Sequence, residues 1–224
     1  MNNKIISAQG LTKAYRRGSE EIFALKEVSF VASRGEFVAI VGPSGSGKTT
    51  LLNLLGCLDT PTEGSLRING IEINGLKEKD LVKLRRENIG FIFQQFFLLP
   101  TLTVRENIEL PLLFSPKNNY KSRKDRIDEL TELVGLKARA QHLPYQLSGG
   151  EMQRVAIGRA LINKPEIILA DEPTGNLDSV TSQKIYELFQ EINNQGLTLI
   201  TVTHNIDLAK KAHRTIHLSD GEIR

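Results

Sequence analysis

The sequence contains a single cysteine, Cys57. One thiol cannot form an intramolecular disulfide and excludes a Cys-rich zinc site. It agrees with a reducing compartment. A marked excess of either charge is also missing. Lys and Arg number 29 against 26 Asp and Glu, a formal net charge of +3. That surplus is too small for a dedicated nucleic-acid binder, although a pI near 8.9 leaves a weak basic preference. Long apolar runs are absent. The longest are Phe37 to Val41, Ile167 to Ala170 and Leu197 to Val202, far short of the ~20 residues of a membrane helix. The chain is therefore not expected to span a membrane by itself. Met1 to Gly10 holds no apolar h-region, so no secretory signal is expected. No internal repeat and no low-complexity linker divide the chain. What remains is 40% hydrophobic and 25% charged, ordinary for a soluble fold with a real core. At ~150 residues per domain, 224 residues suit one globular domain with an inserted or appended subdomain.

Short β-branched runs alternate with helical patterns. Phe37–Val41, Ile167–Ala170 and Leu199–Val202 read as strands buried on both faces of a parallel sheet. Leu51, Leu54, Leu55 and Leu58 fall at i, i+3, i+4, i+7 and predict an amphipathic helix. Ile127, Leu130 and Val134 do the same, with Gly135 as the C-cap. Interleaved strands and helices predict an α/β fold with a mostly parallel sheet. The first 35 residues, with Gly64 to Ile73, read as a small antiparallel sheet. Residues from about 96 to 155 read as a helical subdomain. The core then comprises about 1–95 and 156–224.

Gly42, Pro43, Ser44, Gly45, Ser46, Gly47, Lys48 and Thr49 match the phosphate-loop pattern G-x-x-x-x-G-K-[ST], with Thr50 following. The strand lies directly before it and the Leu51–Leu58 helix directly after, the context the pattern needs. Glycines let successive N–H groups turn inward onto phosphate oxygens, and the helix N-terminus adds its positive dipole end. Lys48 is expected to reach the β- and γ-phosphates and Thr49 to ligate Mg²⁺. The Ile167–Ala170 strand runs into Asp171 and Glu172. Ligands of parallel sheets sit at the carboxyl ends of strands, so Asp171 is placed for the Mg²⁺ shell and Glu172 for an attacking water. Alone, such an acid pair is an ordinary strand end; the upstream phosphate loop changes its meaning.

Leu147-Ser148-Gly149-Gly150-Glu151 reads first as a capping box, with Ser148 as N-cap and Glu151 three residues on. A double glycine with serine at a helix start is also a second anion site. One nucleotide would then be clamped between the phosphate loop of one copy and the Ser148 segment of another.

With these motifs in order, the chain resembles the nucleotide-binding subunit of an ATP-binding cassette transporter, a P-loop NTPase with a RecA-like core, an antiparallel β subdomain and a helical signature subdomain. The resemblance implies that Tyr15 stacks on adenine. Gln94, preferred to Gln95 because it follows the apolar strand Ile89–Phe93, would contact Mg²⁺ and water. Asn176-Leu177-Asp178 would cross to the opposite subunit, and His204 would contact the γ-phosphate. Glu151 replaces the commoner glutamine and Asn176 the commoner serine; neither change removes a catalytic group. Leu58–Gly64, Phe93–Pro100, Glu106–Pro111 and Asp171–Ser179 are similar to the macrolide-exporter and lipoprotein-releasing branch.

The resemblance implies a Mg²⁺-dependent ATPase that pairs head-to-tail around two ATP and powers a separate integral membrane permease from the cytoplasmic face. No nucleic acid is expected as a partner. Phe96 to Leu99 supply a candidate permease contact. Lys117, Lys121, Arg123, Lys124 and Arg126 read as a solvated helix face, or as a weak contact with anionic lipid. A soluble cassette of DNA repair or translation is disfavoured by the short stretch before Leu147 and by the single cassette. A helicase or motor is disfavoured by the Leu147–Gly150 segment, which resembles the family's signature. A regulatory adaptor without a transported solute stays open, as do lipoprotein, macrolide, peptide and haem as cargo.

Overall fold

The computed structural model describes residues 3–18, 20–114 and 120–224. Two long strands, β1 (Lys4–Arg17) and β2 (Glu20–Ser33), pair antiparallel and are joined by β4 (Glu63–Ile68) and β5 (Ile71–Glu72). This four-stranded sheet has the order β2-β1-β4-β5, the small antiparallel sheet anticipated from the sequence. A second sheet contains β3 (Phe37–Val41), β6 (Ile89–Ile92), β7 (Ile167–Asp171), β8 (Thr198–Val202), β9 (Arg214–Ser219) and β10 (Glu222–Ile223). Its order is β10-β9-β3-β8-β7-β6, parallel throughout except for the β9–β10 hairpin.

The three continuous apolar runs form its centre. Successive side chains of a strand face opposite sides, and each side has its own core. Val38, Ile40, Leu169 and Ile200 pack with Leu51, Leu54 and Leu55 of α1 (Lys48–Leu55) and with the antiparallel sheet. Phe37, Ile168, Ala170 and Leu199 pack with the helices on the other side. These are α3 (Val104–Glu109), α4 (Tyr120–Leu133), α5 (Gly149–Leu161) and α6 (Ser179–Asn194). The helical stretch thus shares a core with the sheet, and α5 runs through Leu161 without a break near residue 155. A last short helix, α7 (Ile206–Ala209), follows β8.

Two local expectations need correction. Leu58 is not on α1. Gly56 caps that helix, Cys57 adopts a positive φ of 54° and Leu58 is exposed. A Cβ at Gly56 would stand 2.1 Å from the Phe91 ring, which would have to shift to admit it. The basic run of α4 is not a simply solvated face: Arg123 pairs with Glu109 and Arg126 with Glu129, and Arg126 also donates to the Leu161 carbonyl. Lys117 and the Lys121 side chain lie outside the described residues. One helix, α2 (Glu78–Asn88), was not anticipated. It buries only Leu81 and Leu84, and it carries acids in its first turn and arginines in its last, as the helix dipole favours. Ile127, Leu130 and Val134 are buried, and Gly135 turns the chain at φ +68°. Among the described residues, no helix is long and apolar enough to cross a membrane.

Candidate active site

The strand order decides what meets at the site. β3, β8 and β7 are neighbours and parallel, so their carboxyl ends open side by side. β3 delivers the phosphate loop, β8 delivers Thr203 and His204, and β7 delivers Asp171 and Glu172. β6, next in the sheet, delivers Gln94. A cleft of about 660 Å³ at this edge is lined by Gly42 to Gly45, Gly47 to Thr50, Gln94, Asp171, Glu172 and His204, with Ala24 on its rim.

The phosphate loop is shaped by close approach. A Cβ at Gly42 would stand 1.9 Å from the Leu218 carbonyl oxygen, and one at Gly47 would stand 2.4 Å from that of Ala24. Gly47, at φ +99°, is also the N-cap of α1. Ser46 does not line the cleft. It is buried beneath the loop, and its Oγ has no hydrogen-bond partner. Lys48 folds back over the loop and donates to the Gly42 and Pro43 carbonyls, each at 2.8 Å. Its ammonium is thereby held over the loop at the N-terminus of α1, a position that favours a polyanion.

Thr49 Oγ1 stands 3.4 Å from Asp171 Oδ2. Burial and then the neighbouring Glu172 charge raise the Asp171 pKa, opposed by Thr49 and Lys48. Hydroxyl, carboxylate and the bordering Gln94 amide form an oxygen-donor set suited to a hard cation. Among the described residues, no three His, Cys, Asp or Glu side chains gather as a metal cage, so this set is completed only by oxygens from a ligand or water.

Glu172 adopts a positive φ of 44°, a strained state for a non-glycine residue. Its N–H is tied to the Val202 carbonyl. Its carboxylate accepts from Thr203 Oγ1 at 3.1 Å and from the His204 backbone N–H at 3.1 Å, and Oε1 contacts His204 Nδ1 at 2.8 Å. Thr203 in turn accepts from the Asn205 N–H. The acid and the histidine, separated by 32 positions, are a contacting pair.

Gln94, and not Gln95, lines the cleft. Its Nε2 donates to Asn176 Oδ1 at 3.3 Å, and Asn176 Nδ2 donates to the Gln94 carbonyl at 3.0 Å. Tyr15 stands outside the cleft lining on β1, 41% exposed. Burial and Asp59 raise its phenol pKa, while Thr50, in the first turn of α1, lies near enough to oppose the rise. Asp178 accepts from the Thr181 N–H and hydroxyl and caps α6.

Ser148, Gly149 and Gly150 are not brought to this cleft. Ser148 and Glu151 make both bonds of a capping box at the start of α5, as its sequence implied. Burial of the Thr181 methyl against Gly150 leaves no room for a Cβ, which would approach it to 2.2 Å. A second helix start, with Ser148 exposed, Gly149 half-buried and Gly150 buried, therefore lies apart from the first. Sequence reasoning missed Ala24, Thr203 and the Gln94–Asn176 clasp. Thr203 precedes the singled-out histidine, whereas Ala24 contributes only a backbone carbonyl and leaves no signal.

The chain is similar to proteins of one known family. The sequence pattern of the family described as ABC transporter matches residues 25–175. An ABC transporter ATP-binding protein of Methanocaldococcus jannaschii, MJ0796, is 51% identical over 98% of this chain and 95% of its own length. A macrolide export ATP-binding/permease protein of Bdellovibrio bacteriovorus is 48% identical over 98% of this chain, which spans 33% of that longer protein. A dimeric, post-hydrolysis structure of the MJ0796 cassette bound to ADP and Pi superposes with a TM-score of 0.89 at 49% identity, covering 98% of this chain and 96% of that one. The chain therefore belongs to the ABC transporter family as an ATP-binding cassette.

Proposed function

We propose that this protein binds and hydrolyses Mg²⁺-ATP as a head-to-tail pair and drives a separate membrane permease of the export or lipoprotein-release type from the cytoplasmic face. One observation carries the reading. Lys48, Thr49, Asp171, Glu172, His204 and Gln94 converge on one cleft, while the Ser148–Gly150 helix start faces elsewhere. The second phosphate-binding surface then serves the cleft of a second copy, with Asp178 and Asn176 at the crossing loop. The dimeric MJ0796 cassette with ADP and Pi supports the same assembly.

In this reading the loop N–H groups and Lys48 hold the β- and γ-phosphates, and Tyr15 supplies a platform for the base. Thr49 and Asp171, with Gln94, would hold Mg²⁺, which would supply charge neutralisation at the phosphates. Glu172 orients a water in line with the γ-phosphorus and accepts its proton. His204 swings from Glu172 Oε1 to the γ-phosphate oxygens. The bond to the bridging oxygen breaks, leaving ADP and phosphate. ATP joins the two copies because it touches both surfaces only when they are closed. Exposed apolar side chains follow Gln94, with Phe97 at 60% and Leu99 at 43%. They offer the permease a contact one step from the site. The cargo is set by the membrane chains.

The test is Glu172→Gln protein at saturating Mg²⁺-ATP. A stable dimer in light scattering, with turnover lowered by roughly 10²-fold or more, is expected. A protein that binds ATP and stays monomeric overturns the shared site.

A further inference from the structure

The stretch Leu58 to Gly64 has no part in the mechanism above, yet Asp59 is a hub. Three donors converge on its carboxylate. Lys13 Nζ reaches Oδ1 at 2.6 Å, the Thr60 N–H reaches the same oxygen at 2.7 Å, and the Tyr15 hydroxyl reaches Oδ2 at 3.0 Å. Lys13 also donates to the Thr60 carbonyl, and its ammonium lies 5.1 Å from the centroid of the Tyr15 ring. Lys13 and Tyr15 are two positions apart on β1 and share a face. The loop that carries Asp59 is sewn to the same strand. The Ala14 N–H donates to Thr62 Oγ1 at 3.1 Å, and the Thr62 N–H donates to the Thr12 carbonyl at 2.8 Å. That loop follows directly on α1, whose first residue is Lys48. A short frame therefore joins the phosphate loop to the Tyr15 ring.

We propose that Asp59 is a positioning residue of the nucleotide site, fixing the Tyr15 ring with Lys13 on one face so that the other face receives the adenine base. The inference rests on the reading of Tyr15 as the base platform. An aromatic side chain on an exposed strand otherwise turns about two torsions, and ordering it at the moment of binding weakens affinity. Here the phenol is tethered beforehand. Burial acts to raise the Asp59 pKa, but hydrogen bonds from Lys13, Thr60 and Tyr15 outweigh it and hold the carboxyl below its ordinary value. The tether is thus an ionised acceptor at neutral pH, stronger than a neutral one.

Steady-state ATPase kinetics of Asp59→Ala, Tyr15→Phe, their double variant and Tyr15→Ala test it, with inorganic tripolyphosphate as a base-free competitor. Asp59→Ala and Tyr15→Phe should each raise the KM for ATP about five-fold, with kcat within about two-fold. The double variant should show the same rise and not the product of two, because both changes remove the Tyr15–Asp59 bond on which the effect depends. Inhibition by tripolyphosphate should not move. Tyr15→Phe deletes one oxygen and carries the test if Asp59→Ala misfolds. The inference is overturned if Asp59→Ala keeps its KM while Tyr15→Ala raises it. It is also overturned if the double variant is multiplicative, or if tripolyphosphate weakens as much as ATP. If Tyr15→Ala itself leaves the KM unmoved, the base platform falls, and the inference falls with it.

Discussion

Lys48, Thr49, Asp171 and Glu172 were legible because their chemistry is local. A glycine-rich strand-to-helix turn and an acid pair at a strand end announce themselves within eight residues. The contacts that tune them were not legible. His204 Nδ1 on Glu172 spans 32 positions, and the Tyr15 hydroxyl on Asp59 spans 44. No short pattern encodes such pairings. Cys57 shows the same limit. Composition gives one thiol, whereas the fold makes it inert. It is 2% exposed, and burial pushes its pKa up to about 11, only partly offset by Arg85. At pH 8 roughly one thiol in a thousand is ionised, against about a quarter for a free cysteine. Labelling with a thiol-selective maleimide at pH 8 should be at least about 100-fold slower in the native protein than in denaturant. Similar rates in the two states would show that Cys57 is not sealed beneath α1.

Helix α5 illustrates what an element adds. Its capping box and double glycine were readable, since Ser148 and Glu151 stand three apart. Its other work was not. Gln153 is fully buried and donates to the Pro173 carbonyl at 2.7 Å, directly beyond Glu172. Arg159 spreads its guanidinium over the Phe97 and Phe96 carbonyls at 2.6 and 2.7 Å. The helix that begins with the signature therefore also grips the turn after the acid pair and the apolar segment after Gln94. Burial pushes the Arg159 pKa down, so those two carbonyls are its compensation. Arg159→Lys keeps the charge and loses the planar fork. About 1–2 kcal/mol of local stability should go with it, read as roughly ten-fold faster amide exchange across residues 96–99. Unchanged exchange there would show that α5 does not hold this segment. Leu58 marks the opposite error at this scale. The i, i+3, i+4, i+7 pattern carried α1 one turn too far, because periodicity does not register a glycine packed against the Phe91 ring.

At the scale of the molecule, α/β class and a mostly parallel sheet followed from three runs of strand length, but their order did not. β3 lies beside β8, and β8 beside β7, although α1 to α6 and the strands β4 to β7 lie between β3 and β8 in sequence. That adjacency turns separate motifs into one cleft, and it leaves Ser148–Gly150 outside. The shared site proposed above requires that two variants, each damaged in one half, complement in trans. Lys48→Ala destroys the phosphate loop and spares the signature; Ser148→Arg does the reverse, at a capping cost of about 1 kcal/mol that leaves the fold intact. Each homodimer then has two dead sites. A heterodimer of the two pairs one intact phosphate loop with one intact signature. Random exchange makes half of the dimers mixed, each with one working site of two, so an equimolar mixture should recover roughly a quarter of the parent ATPase rate. If the mixture is no more active than its components, each cleft is complete within its own chain, and the geometry that excludes Ser148 from it has been misread.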